Sequence, residues 1–368
     1  MKKIKVVAIS LVDGGPLKIL ESFIETLLKK KNLKIPIDIY INSKINIKEK
    51  YNLKNKNIKF IKIPTPIRWI SRIYYEFFYF KKIDDKNILW FTLQDIPLNL
   101  KKGKQVIYCH NPIHFYKIKV KDIILEPQSI LRLIFYKLIY LFFLSKKNLV
   151  VVQQRWIKHK FRKIYNHKKI TVAKPFVKDN QTYSNKGKSN YFFYPSLPRF
   201  QKNHKIIIEA VDYLVNQRSV TNFKVFFTIK KDENIYARYV YYKGKKFKQI
   251  KFIGRLNYKR MQEYYQKSKN LIFPSFLETW GLPLSEAAKY KMRILAIKLP
   301  YTIENLAYYK KKFFFEENDY KHLANLMECK ILNKEKLIKK NFFKYRKFDN
   351  SLQNWNELID QIVKKNVN

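Results

Sequence analysis

Two carboxylates with seven residues between them mark the segment Phe273–Ala287, FPSFLETWGLPLSEA. A Gly-Leu-Pro turn separates Glu278 from Glu286, and the apolar run Leu271–Phe273 predicts a short buried strand before it. Ligands bind parallel sheets at the carboxyl ends of strands, and free N–H groups at a helix start suit a phosphate. With Glu286 in the first helical turn, the two carboxylates could accept hydrogen bonds from a ribose and a sugar. A glutamate there also favours the dipole of any helix, so an ordinary strand–turn–helix unit is the alternative.

Two cations, Arg199 and Lys202, stand in the loop between a predicted strand, Tyr191–Tyr194, and a predicted helix, His204–Asn216. A leaving pyrophosphate carries negative charge, which fixed cations nearby would stabilise. The guanidinium group of arginine can donate two parallel hydrogen bonds to a phosphate, whereas the ammonium group of lysine acts as a point charge. With 77 lysines and arginines in the chain, two solvated surface cations are the alternative.

Two polar turns follow predicted strands in the first half of the chain. Gly14 and Gly15 stand in the sequence DGGP, where glycine lets the backbone approach a ligand closely. His110 follows the predicted strand Gln105–Cys109, and a neutral imidazole could hydrogen-bond sugar hydroxyls. The alternatives are an ordinary tight turn and a histidine that caps the next loop.

The sequence lacks the patterns that hold metal ions and dinucleotide cofactors. It contains no Asp-x-Asp and no His-Glu-x-x-His, and Cys109 and Cys329 are too few for a disulfide framework and lack metal-ligand spacing. A P-loop and a long dinucleotide fingerprint are also missing, and the chain has only 7 glycines. We therefore expect no metal, no cofactor and a reducing compartment.

Short apolar segments alternate with amphipathic ones, which predicts parallel α/β units. The chain begins with basic residues before an apolar run, as a signal peptide does, but it lacks a cleavage pattern. We therefore expect the first strand at Ile4–Ser10. A polar stretch, Lys174–Ser189, predicts a linker. We expect one Rossmann-like domain over residues 1–175, a second over residues 190–348 and a C-terminal helix within residues 349–368.

The formal net charge of +49 indicates an anionic partner, such as a nucleotide, a membrane surface or a nucleic acid. Lysine, however, greatly outnumbers arginine and is spread along the whole chain, as A/T-rich codons would produce. A protein that recognises nucleic-acid sequence would use more arginine. We therefore expect no specific nucleic-acid partner.

Two stretches mix apolar and basic residues: Arg68–Lys82, RWISRIYYEFFYFKK, and Ile130–Leu144, ILRLIFYKLIYLFFL. The second is too short and too charged to span a membrane. Both could lie in a bilayer interface with their cations toward anionic headgroups, and both would equally suit a helix that faces the core. An anionic membrane surface is therefore an expected partner.

The segment with the two carboxylates resembles the signature of retaining glycosyltransferases of family 4, which have the GT-B fold. The corresponding residues here are Pro274–Ala287. The usual pattern is a proline, a small residue, two further residues and E-G-F-G-L-P-L-x-E-A, and this chain has Thr279 and Trp280 in place of Gly and Phe. The loop Tyr194–His204 resembles the family's arginine/lysine pair in a form, Y-P-x-x-x-R-x-x-K-N, found in bacterial surface-polysaccharide synthesis. Here the two cations are only three residues apart, and Ser196 replaces a glycine.

The resemblance implies the GT-B architecture, two Rossmann-like, doubly wound α/β domains that face each other across a cleft. It implies that Glu286 holds the ribose of a nucleotide-sugar donor and Glu278 the donor sugar, and that His110 lies near the reacting sugar. The final helix, Asn350–Lys365, would return to the first domain. The residues implied for the donor diphosphate are Gly14, Gly15, Arg199, Lys202, Gly281, Leu282, Pro283 and Leu284, and those implied for catalysis are His110, Glu278, Lys202 and Arg199.

The implied activity is metal-independent transfer of a sugar from a nucleotide-diphosphate sugar to a hydroxyl of a glycan or lipid-linked glycan. The anomeric configuration would be retained by same-face attack, with the leaving phosphate as base and no protein nucleophile. The enzyme would be cytoplasmic, peripheral to the inner face of the cell membrane, and would serve polysaccharide or lipopolysaccharide synthesis. Two alternatives stay open: an inverting transferase or epimerase on the same fold, and a basic module that binds polyanions or membranes without catalysis.

Overall fold

The computed structural model describes residues 3–30, 35–46, 57–118, 120–175, 189–334, 351–352 and 354–367. Contacts divide the chain into two compact units. The first comprises Met1–Phe115, Arg132–Phe176 and Phe348–Asn368, and the second comprises Tyr116–Leu131 and Val177–Lys347. A short segment from the first half of the sequence therefore belongs to the second unit. The domain limits expected from the sequence stay a prediction, since contact units and folding domains need not share boundaries.

The strands, in chain order, are β1 (Lys3–Ala8), β2 (Ile37–Asn42), β3 (Ile58–Ile63), β4 (Ile88–Thr92), β5 (Lys104–Cys109), β6 (Leu149–Val152), β7 (Ile170–Val172), β8 (Ser189–Tyr194), β9 (Lys224–Phe227), β10 (Ile250–Phe252), β11 (Ser268–Phe273), β12 (Arg293–Ile297) and β13 (Lys312–Phe315). The helices are α1 (Gly14–Lys29), α2 (Arg68–Tyr74, continued by a π-helical turn, Tyr75–Tyr79, and by Phe80–Lys82), α3 (Val120–Leu125), α4 (Pro127–Phe143), α5 (Arg155–Tyr165), α6 (His204–Asn216), α7 (Ile235–Gly244), α8 (Tyr258–Lys267), α9 (Leu282–Lys289), α10 (Pro300–Asn305), α11 (Tyr320–Ile331) and α12 (Trp355–Val367).

Each unit is built on one parallel sheet. The first sheet has the order β3-β2-β1-β4-β5-β6-β7, and the second has the order β10-β9-β8-β11-β12-β13. In each sheet the strand order reverses beside the unit's first strand, between β1 and β4 and between β8 and β11. Ligands of doubly wound folds bind at this reversal, beyond the carboxyl ends of the strands.

Both faces of the first sheet are covered, because alternate residues of β1 point to opposite sides. Val6 packs in a cluster with Phe23 of α1 and Trp355 of α12, whereas Val7 packs in another cluster with Trp90. Both valines are fully buried, which stabilises the fold by about 1.5–3 kcal/mol for each side chain. A strand buried on both faces is a continuous apolar run in the sequence, as this one is.

The C-terminal helix α12 packs against α1. The ring of Trp355 meets the ring of Phe23 edge-on, with 5.3 Å between centroids. Just before the helix, the backbone N–H of Leu352 donates to the carbonyl oxygen of Val172 at 2.9 Å, so this segment adds a bridge beside β7. The end of the chain thus contributes to the core of the first unit.

The α/β fold with two Rossmann-like sheets is confirmed, and the sequence prediction differs mainly in its smaller elements. The elements without a clear signal in the sequence are β7, α3 and α10, which have three to six residues, and α7, whose tyrosine-rich sequence IYARYVYYKG lacks a regular apolar spacing. The predicted linker Lys174–Ser189 lies outside the described residues except at its ends. Among the described helices, none has the length and apolar character needed to cross a bilayer.

Candidate functional site

Lys202 and Glu278 form an ion pair at the strand-order reversal of the second sheet. Lys202 ends a short 3-10 turn in the loop after β8, and Glu278 lies in the loop after the neighbouring strand β11. The Nζ of Lys202 donates to Oε1 of Glu278. The two side chains are only 19% and 16% exposed, so the pair is shielded from bulk water. The structure thus brings together two residues that the sequence analysis places in the donor site.

The backbone around this pair is held by hydrogen bonds between the same two loops. The carbonyl oxygen of Gln201 accepts from the backbone N–H of Phe276 at 2.7 Å and from the hydroxyl of Ser275 at 3.2 Å. The buried hydroxyl of Tyr194 donates to the carbonyl oxygen of Lys202 at 2.6 Å. These bonds fix the backbone position of Lys202, so little backbone conformational entropy is lost when its ammonium group binds an anion.

Arg199 has a different partner from Lys202. Its guanidinium pairs with Glu126, a buried carboxylate from the segment Tyr116–Leu131 that joins the second unit. Glu126 also accepts from the backbone N–H of Phe200 at 3.1 Å and from the hydroxyl of Ser129 at 2.7 Å. Glu126 is not evident as a site residue from the sequence, because it lies 73 positions from Arg199 and no local motif links the two.

Gly281 makes the turn between Glu278 and the helix α9. Its φ of +76° lies in the left-handed region, and a Cβ there would lie 3.0 Å from Cδ1 of Leu284 and 3.3 Å from Cε1 of Phe273. Both neighbours are fully buried, so only glycine fits without strain. The helix starts at Leu282 and has Pro283, which carries no N–H, as its second residue, and the N–H of Leu284 donates to the carbonyl oxygen of Gly281 at 2.9 Å.

Glu286 is the fifth residue of α9, so the expectation that it lies in the first helical turn is wrong. Proline favours the first helical position, which predicts a start at Pro283, but the helix begins one residue earlier, at Leu282, and this places Glu286 just past the first turn. Its Oε2 accepts from the hydroxyl of Tyr265 at 2.7 Å, and Tyr265 stacks on Tyr290 with 5.2 Å between ring centroids. Burial, followed by the nearby Glu286 charge, raises the pKa of Tyr265, so its hydroxyl remains a donor. Tyr265 was not predicted as a site residue, because 21 positions separate it from Glu286.

An uncharged histidine lies beneath the loop that carries the two cations. Nε2 of His204 lies 2.8 Å from Oγ of Ser196, the residue that replaces the family's usual glycine. Burial, reinforced by the charge of Lys202, lowers the pKa of His204 to about 3. The imidazole is therefore neutral near pH 7, and it supports the loop without adding to its positive charge.

The remaining candidate residues lie in the first unit, where they follow strands at the carboxyl edge of its sheet. Gly14 and Gly15 open α1 directly after β1, and a Cβ at either glycine would meet nothing within 4 Å. His110 follows β5, and its Nδ1 lies 3.0 Å from Oδ1 of Asp95, which follows the adjacent strand β4. Asp95 was not predicted as a site residue, although the polar pair Gln94-Asp95 after a buried strand is a signal of such a site.

Metal and cysteine chemistry have no support at this site. Within the described part of the chain, no group of three or more His, Cys, Asp or Glu side chains is arranged to hold a metal ion. Cys109 and Cys329 are not linked to each other, and burial raises the pKa of the Cys109 thiol, which makes it unreactive. The expectation that no metal takes part stays a prediction.

Residues 177–346 match the family model described as glycosyl transferases group 1. The matched range nearly coincides with the main segment of the second unit, Val177–Lys347, and therefore includes the Lys202–Glu278 pair and Glu286. No curated protein matches the chain in a sequence comparison.

Several solved structures resemble the whole chain. WaaG, a glycosyltransferase involved in lipopolysaccharide biosynthesis, is 14% identical with a TM-score of 0.66, and the match covers 98% of this chain and 99% of WaaG. HepE from Anabaena, in complex with UDP and glucose, is 12% identical with a TM-score of 0.65 and 99% of each chain covered. Sucrose-phosphate synthase from Thermosynechococcus elongatus is 10% identical with a TM-score of 0.64, covering 99% of this chain and 98% of that one. These similarities show that the chain has the GT-B fold.

Proposed function

We propose that the protein is a glycosyltransferase that moves a sugar from a nucleotide-diphosphate sugar to a hydroxyl of a glycan or lipid-linked glycan, with retention of configuration. One observation carries the proposal: within the range matched by the group 1 family, the shielded Lys202–Glu278 pair lies at the strand-order reversal of its sheet. A buried ion pair costs desolvation free energy and is weak evidence for stability, so its position favours a functional role.

The donor contacts follow from the chemistry of the second unit. Lys202 and Arg199 hold the diphosphate together with the backbone N–H groups of Gly281 and Leu282, where the loop meets α9. Glu278 accepts from hydroxyls of the donor sugar, and Glu286 accepts from the ribose hydroxyls. Glu126 orients Arg199 and offsets part of its charge.

The chemical step breaks the bond between the anomeric carbon and the diphosphate oxygen. Negative charge grows on that oxygen as the bond breaks, and the ammonium group of Lys202 stabilises it, which is the work that a metal ion does in metal-dependent transferases. The acceptor hydroxyl attacks from the face that the diphosphate leaves and gives its proton to the leaving phosphate. Retention follows without a protein nucleophile, and no metal is required.

The candidate residues of the first unit keep the roles that the family resemblance implies. Gly14 and Gly15, which no neighbour crowds, let backbone N–H groups approach the diphosphate. His110 hydrogen-bonds a hydroxyl of the reacting sugar. The enzyme serves the synthesis of a surface polysaccharide, a role supported by the similarity of its fold to that of WaaG, a glycosyltransferase involved in lipopolysaccharide biosynthesis. We place it at the cytoplasmic face of a membrane, as the family resemblance implies.

A thermal-shift panel with UDP, GDP, ADP, CMP and dTDP tests the donor site. UDP is the first ligand to try, because HepE binds it on the same fold. A ligand at about 100 times its dissociation constant stabilises the folded state by roughly 2.7 kcal/mol. We expect one diphosphate to raise Tm in the wild type but not in Glu286→Ala. Glu263→Ala, an exposed glutamate on α8, is the matched control and keeps the shift.

No shift with any nucleotide would contradict the donor site and favour the basic module that binds polyanions without catalysis. Such a module would bind heparin or DNA with strong salt dependence and no response to nucleotides. If a diphosphate binds, the anomeric configuration of the product separates the retaining transferase from an inverting enzyme, and turnover without an acceptor identifies an epimerase.

A further inference from the structure

The helix α4 carries apolar side chains on the side that faces solvent. Ile134, Leu138, Leu141 and Phe142 follow a helical spacing and are 46%, 45%, 54% and 76% exposed. The opposite side of the helix is apolar as well and is buried in the core of the first unit, for example at Tyr140. A helix that is apolar all round is normally covered on every side, and this one is not.

The neighbouring helix α2 repeats the pattern. Ile70, Tyr74 and Phe78 are spaced four residues apart and are 55%, 48% and 57% exposed. The two helices contact each other through Phe77 and Phe143, whose ring centroids are 4.8 Å apart. Two exposed apolar rows on adjacent helices make a surface that a monomeric protein rarely leaves uncovered. We call the seven exposed side chains, Ile70, Tyr74, Phe78, Ile134, Leu138, Leu141 and Phe142, the apolar face.

Basic side chains lie on the two helices that carry the apolar face and on segments next to them. Lys137 on α4 and Lys82 at the end of α2 are exposed, and Lys146, just after α4, donates to the carbonyl oxygen of Asn166 at 2.6 Å, beyond the end of α5. The helix α5 adds exposed Arg162 and Lys163.

The basic side chains of α5 lie close enough to affect each other. On this helix, burial lowers the pKa of Lys158, and the charges of Arg162 and Arg155 lower it further. The helix α5 packs against α4 through the rings of Phe161 and Tyr140, 5.2 Å apart, so its positive charge adds to that of the lysines on α2 and α4.

We propose that the apolar face docks the protein on a lipid bilayer rich in anionic headgroups. The charge of the chain favours this occupant over a second copy of the protein, because two copies that each carry +49 repel each other. Exposed apolar side chains enter the acyl boundary, and the lysines and arginines around them contact the headgroups. The inference rests on the proposed function for its purpose, since a membrane surface presents a lipid-linked acceptor.

Sedimentation with vesicles tests the docking surface on the full chain. One set of vesicles contains phosphatidylcholine alone and the other contains added phosphatidylglycerol. We expect the wild type to bind the anionic vesicles, to bind them more weakly as salt rises, and to bind neutral vesicles poorly. The double variant Leu138→Glu/Phe142→Glu loses apolar burial at two positions. We expect each substitution to lower the partition coefficient of the protein onto anionic vesicles by about tenfold or more.

Matched variants separate docking from folding and from general charge effects. Ile235→Glu adds a carboxylate at a half-exposed apolar position of the second unit and keeps vesicle binding. Phe78→Glu tests the apolar row on α2 independently, and we expect this variant to bind the anionic vesicles more weakly than the wild type does. In all variants the nucleotide-dependent rise in Tm is unchanged, so failure of docking and failure of the donor site give different results.

Three outcomes would overturn the proposal. The first is a wild type that binds neither kind of vesicle, and the second is a double variant that binds as well as the wild type. The third is a dimer that forms without lipid, detected by analytical ultracentrifugation, and that dissociates in Leu138→Glu/Phe142→Glu.

Discussion

Asp95 holds His110 at the carboxyl edge of the first sheet. Its Oδ1 lies 3.0 Å from Nδ1 of His110 and accepts from the backbone N–H of the same residue at 2.7 Å. Asp95 has a φ of +74°, an uncommon conformation for a residue other than glycine, and its carbonyl oxygen accepts from the hydroxyl of Tyr140. Strained residues persist where their surroundings determine them, and they cluster at functional sites. The carboxylate of Asp95 occupies the space beside Nδ1, so the proposed contact with the donor sugar is assigned to Nε2.

Asp95→Asn tests whether Asp95 positions His110. Asparagine tolerates the left-handed backbone but removes the carboxylate beside the imidazole, so we expect kcat to fall by about tenfold or more with a small change in KM for the donor. In a His110→Ala background the same substitution should have little further effect. Additive losses in the double variant would show that Asp95 acts independently of His110.

Lys202→Ala removes one member of a shielded ion pair. Glu278 then keeps a poorly solvated charge, and we expect the free energy of unfolding to fall by about 1–3 kcal/mol. Adding Glu278→Ala should restore much of this stability but none of the activity. Denaturant unfolding and transferase assays measure the two effects separately. Activity in the double variant close to that of the wild type would rule out the assigned roles.

Gly281→Ala and Gly15→Ala should behave in opposite ways. Gly281 combines a positive φ with buried neighbours 3.0 and 3.3 Å from a new Cβ, so the alanine should destabilise the fold by about 1–2 kcal/mol. A Cβ on Gly15 meets no atom within 4 Å, so stability should be kept or slightly raised. If backbone near Gly15 approaches the diphosphate, the nucleotide-dependent rise in Tm should shrink in Gly15→Ala. An unchanged rise would remove Gly15 from the donor site.

His204 should make stability depend on pH. Its pKa in the folded protein is about 3, below the ordinary value of 6.5, so the unfolded chain binds more protons between these values. The contribution of His204 to the free energy of unfolding is fully present above about pH 6.5 and is lost as the pH falls below this value. We expect Tm to decrease between about pH 7 and 5, and to decrease less in His204→Phe, which keeps the ring contact with Tyr194. Equal slopes would show that other groups dominate, such as His114, whose pKa burial also lowers to about 3.

Much of the fold could be predicted because its information is local. Strands buried on both faces, such as β1, are unbroken apolar runs, and Gly281 lies in a motif whose turn only glycine allows. The short strand β7 and the helix α10 escape prediction because three to six residues carry little periodic signal. The start of α9 is off by one residue, which is enough to move Glu286 out of the first turn.

The sequence by itself determined the two doubly wound sheets and the residue types around the Gly-Leu-Pro turn, because burial periodicity and turn geometry depend on neighbours along the chain. Only the tertiary structure decided which groups meet: Glu126 with Arg199, Tyr265 with Glu286, and Asp95 with His110. These partners lie 15 to 73 residues apart and meet because parallel strands bring their carboxyl ends to one edge, or because a distant segment packs there. The tertiary structure also decided that α2 and α4 each bury one apolar side and expose another, since exposure depends on what packs against a helix rather than on its own sequence.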